Sequence, residues 1–251
     1  MEMNIESNWL QKFANWFKGT ALVAVMLLSG TALEANVGFT LAGCRASDTM
    51  NYHQVTLQAG DGSMVPTSIC DDTAYTTGNL KGWAELEYVP NRVTVENKSS
   101  VAETFTFTVG GDFLQTEGGE LRGWDDITKL VLVPQLSDQA CFDIQSQSTQ
   151  ALLITPDNEG AGGVFTTIYR KVDVVGLPAG AKCVAHYNAR LAIGSHLYPG
   201  SSLQSNLWNE DLDSGGIGEK RVQLPDVLAQ DFSKTMVATQ DSNHIWAIAK
   251  S

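Results

Sequence analysis

Val101-Ala-Glu-Thr-Phe-Thr-Phe-Thr-Val109 decides the fold class. Phe105 and Phe107 fall on one face of this stretch, and Thr104, Thr106 and Thr108 fall on the other. An apolar/polar period of two is the mark of a strand with one face turned to a core and one to water. Just upstream, Arg92-Val-Thr-Val-Glu96 repeats the alternation, and Asn97-Lys-Ser-Ser100 between the two reads as a turn. Residues 92–109 are therefore expected to form a hairpin. Further upstream, in Trp83 to Val89, Ala84, Leu86 and Tyr88 share a face, Glu85 and Glu87 take the other, and Pro90-Asn91 breaks the run.

Working outward, strands are expected at Met50 to Leu57, Lys129 to Val133, Cys141 to Ile144, Ala151 to Ile154, Val164 to Val175 and Lys182 to Ile193. Leu177-Pro-Ala-Gly180 would join the last two as an extended hairpin. Thr235 to Thr239 and His244 to Ala249 close the chain around the turn Gln240-Asp-Ser-Asn243. Only Pro225 to Ser233 suits a helix, with Pro225 in its first turn and Asp226 near its positive end. Many short strands between Gly, Pro, Asn and Asp clusters, with no strand-helix repeat, predict an all-β fold. The expectation is an antiparallel β-sandwich, Ig-like or jelly-roll-like, with long loops and at most one short helix. The 23 glycines and the thin 18% of charged residues agree with that class.

Lys12 and Lys18 precede an uncharged stretch from Gly19 to Leu33 that ends among small residues, the order of a secretory signal peptide. As a helix that stretch rises about 22 Å. This is short of the roughly 30 Å hydrocarbon core, so no stable transmembrane span is expected. Cleavage is expected after Ala35, or else after Ala32. The first cut divides the chain into a 1–35 leader and a 36–251 secreted domain, with 134–160 as the place where that domain would split in two. Leu41-Ala-Gly-Cys44 also carries the letters of a lipobox, so a lipid anchor through Cys44 is the lesser alternative. Glu34 and Asn36 interrupt its apolar lead-in, and lipidation would leave an odd number of cysteines.

Cys44, Cys70, Cys141 and Cys183 contain no Cys-x-x-Cys pair, a spacing poor for zinc and natural for two disulfides. Three connectivities exist, and short loops favour Cys44 with Cys70 and Cys141 with Cys183. The formal charge of −12 argues against nucleic acid as a partner.

Candidate chemistry is sparse. Gly194-Ser-His196 and Gly200-Ser-Ser202 lack the strand-turn-helix frame of a nucleophile elbow. His53, His186, His196 and His244 are scattered. Glu87, Asp125, Asp126 and Glu159 are the acids available for glycoside chemistry. Asn209-Glu-Asp211-Leu-Asp213-Ser-Gly215 resembles the start of an EF-hand-type calcium loop, with Asp211 and Asp213 as ligands. Ser214 then stands where glycine belongs, and Lys220 where a bidentate acid belongs. Trp124 and Trp208 read as loop tryptophans able to stack on carbohydrate, whereas Trp246 reads as core. Asn97-Lys-Ser99 is an N-glycosylation sequon.

Val37, Phe39 and Leu41 alternate with Gly38, Thr40 and Ala42, a strand able to add to the sheet edge of a neighbouring subunit. The sequence thus leads to a non-enzymatic structural or adhesive protein, secreted or on the cell surface. It would be a homo-oligomer or filament subunit joined by N-terminal strand exchange, with no cofactor required. A calcium- or carbohydrate-binding module is the rival reading, and a secreted hydrolase comes third.

Overall fold

The computed structural model describes residues 36–46, 52–116, 120–145, 150, 152–157, 165–198, 203–212, 217–218, 220–230, 236–240 and 246–250. The leader 1–35 and both of its expected cut sites lie outside the described residues. Two antiparallel sheets form the body. Sheet I runs β4 (Tyr75–Thr76), β1 (Val37–Cys44), β5 (Tyr88–Asn97), β12 (Lys182–Leu191) and β8 (Trp124–Ile127), with β9 (Val131–Leu132) also on β12. Sheet II runs β10 (Leu152–Asp157), β11 (Phe165–Leu177), β6 (Glu103–Gln115), β13 (Leu203–Trp208) and β14 (Lys220–Leu224), with β7 (Leu121–Arg122) on β6. The fold is the expected all-β antiparallel sandwich, with one short α-helix among the described residues, α1 (Ala140–Gln145).

The core lies between the sheets, where the inward faces of alternating strands meet. Val93 and Tyr187 of sheet I belong to one buried cluster with Phe107 and Ile168 of sheet II. Phe39 meets Phe105 edge to face, with centroids 5.6 Å apart. Trp124 crosses the gap from β8 and donates its indole N–H to the Gln204 carbonyl at 2.9 Å. Gly111 makes this possible, since a Cβ there would stand 2.7 Å from the indole and 2.2 Å from the Gln204 oxygen.

The two expected hairpins are arches instead. β5 and β6 lie in different sheets, as do β11 and β12, so 97–103 and 177–182 each carry the chain across the core. Asn97 locks the arches side by side. Its buried Nδ2 donates to the Val101 and Leu177 carbonyls, both at 2.8 Å, and its Oδ1 accepts the Ser99 N–H. Its backbone also exchanges hydrogen bonds with Ala181 and Gly180.

Three further expectations are corrected. Trp83 to Glu87 is a turn, with Leu86 at φ 64, held by the Glu87 carboxylate on the Ala84 N–H. Cys141 to Ile144 lies in α1, a run too short for periodicity to separate helix from strand. Residues 225–230 form no helix. They are strapped onto the 83–87 turn through Glu85 N–H to Leu228 O and Leu228 N–H to Trp83 O, while 231–233 lie outside the described residues.

β2 (Tyr52–Gln58), in the stretch expected as a strand, pairs with β3 (Met64–Cys70) in a hairpin that forms a third layer on the outer face of sheet I. Ser68 and Asn188 exchange two hydrogen bonds of 2.9 Å across that contact. Cys44 bridges Cys70 there, and Cys141 bridges Cys183, closing sequence separations of 26 and 42 residues. A last hairpin, β15 (Met236–Gln240) with β16 (Trp246–Lys250), pairs only with itself among the described residues.

Candidate functional site

Three features concentrate chemistry or unsatisfied surface. The first lies under the β2–β3 hairpin, where outward positions of sheet I that would normally be wet are covered. His186 is fully buried, and its Nε2 accepts the Arg92 Nε–H at 2.9 Å. Arg92 also pairs with Asp72 at 2.5 Å and stacks 3.9 Å above the Tyr75 ring. Burial, reinforced by the Arg92 charge, lowers the His186 pKa to about 3, and burial raises that of Tyr75 to about 12. The imidazole is therefore neutral, held between the Arg92 guanidinium and the Tyr75 ring. This is a structural lock beside the Cys44–Cys70 bridge.

The second feature is the Glu85–His196 pair. The Glu85 carboxylate, with 4% of its side chain exposed, accepts the Nδ1–H of His196, whose ring is 34% exposed. Gln230 ties the same residue from the 225–230 strap, its N–H reaching Oε2 at 3.5 Å and its side-chain amide reaching the Glu85 carbonyl at 2.9 Å. Burial pulls the Glu85 pKa upward, and the bonds from His196 and Gln230 outweigh it, so the carboxyl sits below its ordinary value. A carboxylate behind an imidazole is how proteins orient a base. Among the described residues no Ser, Thr or Cys side chain is bonded to the His196 ring. Ser195 precedes His196 in a single 3₁₀ turn, Ser195–Leu197, and its buried Oγ has no hydrogen-bond partner.

The third feature is the open lateral margin of the sandwich at β10. Leu152 faces Arg170 and Ile154 faces Ile168 across the β10–β11 ladder. Directly opposed residues share a face. Ile168 is buried in the core, and the Arg170 guanidinium reaches the Ile127 carbonyl of sheet I at 2.5 Å. Leu152 and Ile154 thus point toward sheet I, yet they are 39% and 54% exposed. Sheet II overhangs: β8 lies against β11, and no described strand of sheet I lies opposite β10. Leu153, on the outer face, is 39% exposed as well. At the opposite margin β1 and β14 close the sandwich, and a Cβ on Gly43 would meet Val222 at 3.1 Å.

The sequence candidates fare unevenly. Trp124 is buried and cannot stack on a sugar, because its ring fills the space over Gly111. Trp208 is half-buried, lying on the outer face of sheet II over Gly110. Asp211 is exposed and its N–H bonds to Asn209 Oδ1, while Asp213 lies outside the described residues. Among the described residues no group of three His, Cys, Asp or Glu side chains could hold a metal ion. Asp125 pairs with Arg190 and Asp126 accepts from Tyr88, so both acids gather around the stacked Tyr88–Arg190 pair, while Glu87 turns back onto the Ala84 N–H and Glu159 lies outside the described residues. Cys44 is committed to Cys70 and has no free sulfur for a lipid.

Val37, Phe39 and Leu41 point into the chain's own core from β1, which pairs with β5 from Val37 to Gly43. Exchanging this strand would remove three apolar side chains from that core while Cys44 stays tethered. No helix among the described residues is long and apolar enough to cross a membrane.

An apolar slot of about 70 Å³ beside the Cys141–Cys183 bridge is far smaller than the roughly 300 Å³ at which ligand pockets begin. A trough of about 440 Å³ between the β2–β3 turn and Phe142 offers one polar side chain among the described residues, Gln58. No family model, no curated protein and no solved structure matches this chain.

Proposed function

We propose that this chain is an exported, non-enzymatic structural or adhesive β-sandwich that associates with copies of itself along a sheet edge. The observation that carries this reading is the open apolar margin at β10. A row of edge N–H and C=O groups flanked by exposed Leu152, Leu153 and Ile154 is the kind of surface proteins normally blunt with charge or cover.

Two disulfides are compatible with an oxidising, extracellular setting. The buried polar groups around His186 and Asn97 have protein partners and serve rigidity. Edge addition replaces strand exchange in this reading, because the side chains of β1 are already spent in the core. Growth into a filament would need a second contact surface besides β10.

The test is sedimentation of the oxidised, exported protein over a wide concentration range, with electron microscopy of concentrated samples. A concentration-dependent rise in mass is the expected result. A monomer at every concentration, or turnover of a polysaccharide, peptide or ester substrate that is lost on His196→Ala, would overturn the reading.

A further inference from the structure

We infer that the partner at the β10 margin is the β10 strand of a second copy, running antiparallel across a two-fold axis that passes through Leu153. This rests on the self-association reading and names its surface and register.

Charge selects the partner. The chain carries a net −12, so two copies repel over most approaches. From Ile144 to Pro156 no residue is charged, with Asp143 and Asp157 at either end. The uncharged stretch includes the exposed Leu152, Leu153 and Ile154 of β10, and copies can meet there without opposing carboxylates. A basic partner would be drawn to the acidic surfaces instead.

Shape and pattern select it again. Whatever binds must present backbone donors and acceptors to the edge and apolar groups to both faces of it. β10 satisfies this for itself. With Leu153 opposite Leu153 of the second copy, Leu152 meets Ile154 and Ile154 meets Leu152, so apolar residues pair on each face. The two overhanging inward faces are then covered together, and the five-strand paths of two sheets II join into one continuous sheet.

The contact is short. Pro156 has no N–H to donate, and Asp157 follows it, so pairing cannot run far beyond Thr155. Such a patch is well under the area of a standard stable interface, which makes the dimer transient and concentration-dependent. An isologous contact of this kind stops at two copies.

The wild type, Leu153→Lys and Leu153→Cys test this, each variant with both native disulfides intact and the same melting temperature as the wild type. Ile154→Lys serves as a second edge variant. The wild type is expected to dimerise reversibly. Leu153→Lys places two ammonium groups on the axis and should weaken the dimer at least tenfold, and Ile154→Lys should do the same. Leu153→Cys should oxidise to a covalent dimer, whereas Cys at the exposed Val175 in β11 should not.

A dimer that resists Leu153→Lys, or in which Leu153→Cys fails to cross-link, would overturn the proposed register while leaving self-association standing. A strictly monomeric wild type would overturn both.

Discussion

Replacing Asn97 should damage this protein more than any surface position of similar size. Asn97 is fully buried, and its side chain makes three hydrogen bonds: two donated to the Val101 and Leu177 carbonyls and one accepted from the Ser99 N–H. Each such bond contributes about 1 kcal/mol net, and a buried carbonyl left without a donor costs about 1–3 kcal/mol more. Asn97→Ala should therefore lose roughly 3–5 kcal/mol, because both arches lose their common anchor at once. Asn97→Asp is nearly isosteric and should be no better, since it turns a carboxylate toward the same two carbonyls. The assay is equilibrium urea unfolding with disulfides intact, read by tryptophan fluorescence. For a chain of this size that loss corresponds to a drop in melting temperature of roughly 10 °C. A loss below about 1 kcal/mol for Asn97→Ala would refute the two-arch lock. So would a glycan at Asn97 of natively folded protein, because the Nδ2 that would carry the sugar is buried and already donates twice.

Acid should weaken the fold through His186. Its folded pKa of about 3 lies below the ordinary value of 6.5, so its contribution is complete above pH 6.5 and is lost as pH falls toward 3. The slope is about 1.4 kcal/mol per pH unit, or roughly 3 kcal/mol between pH 6.5 and 4.5. Urea midpoints should trace this decline, and His186→Gln, which cannot titrate, should flatten it. Separate Cys→Ser pairs should cost about 3.5 kcal/mol for Cys44/Cys70 and about 4 kcal/mol for Cys141/Cys183 by loop entropy; equal stability of either variant and wild type under oxidising conditions would contradict the bridges. Gly111→Ala should cost about 1–3 kcal/mol by driving a methyl against the Trp124 ring and the Gln204 carbonyl, measurable as a lower urea midpoint. Glu85→Gln should speed amide exchange in 225–230, since the paired carboxylate helps hold that strap, and unchanged protection there would argue against it.

Alternation in 101–109 was sufficient to identify β6 and its inward face, because a period of two is a local property of the extended backbone. The same held for Val37, Phe39 and Leu41, whose shared face is indeed a core face. It could not say that the core was their own. Trp124 looked like a loop residue because Gly123 precedes it and two acids follow, yet β8 is a four-residue strand whose indole crosses to Gly111, distant in sequence. β3, β13 and β14 likewise lie outside the strands expected from local pattern. Met64 to Cys70 contains Pro66, and its burial depends on lying over sheet I rather than on alternation. The open margin at β10 had no local signal either, since Leu152 and Ile154 would look like core residues in any strand.

Sequence alone determined that the chain is a strand-rich sandwich, which positions face inward along its clearest strands, and that its cysteines suit disulfides. These follow from side-chain period and composition, which act over a few residues. Tertiary structure alone decided that the turns at 97–103 and 177–182 are arches between sheets rather than hairpins within one. It also decided that an outward His186 is buried under a third layer, and that sheet II outreaches sheet I at β10. Each depends on which strand lies next to or opposite another. Hydrogen bonding along an edge accepts any strand of suitable length, so packing across the whole core, not local pattern, makes the choice.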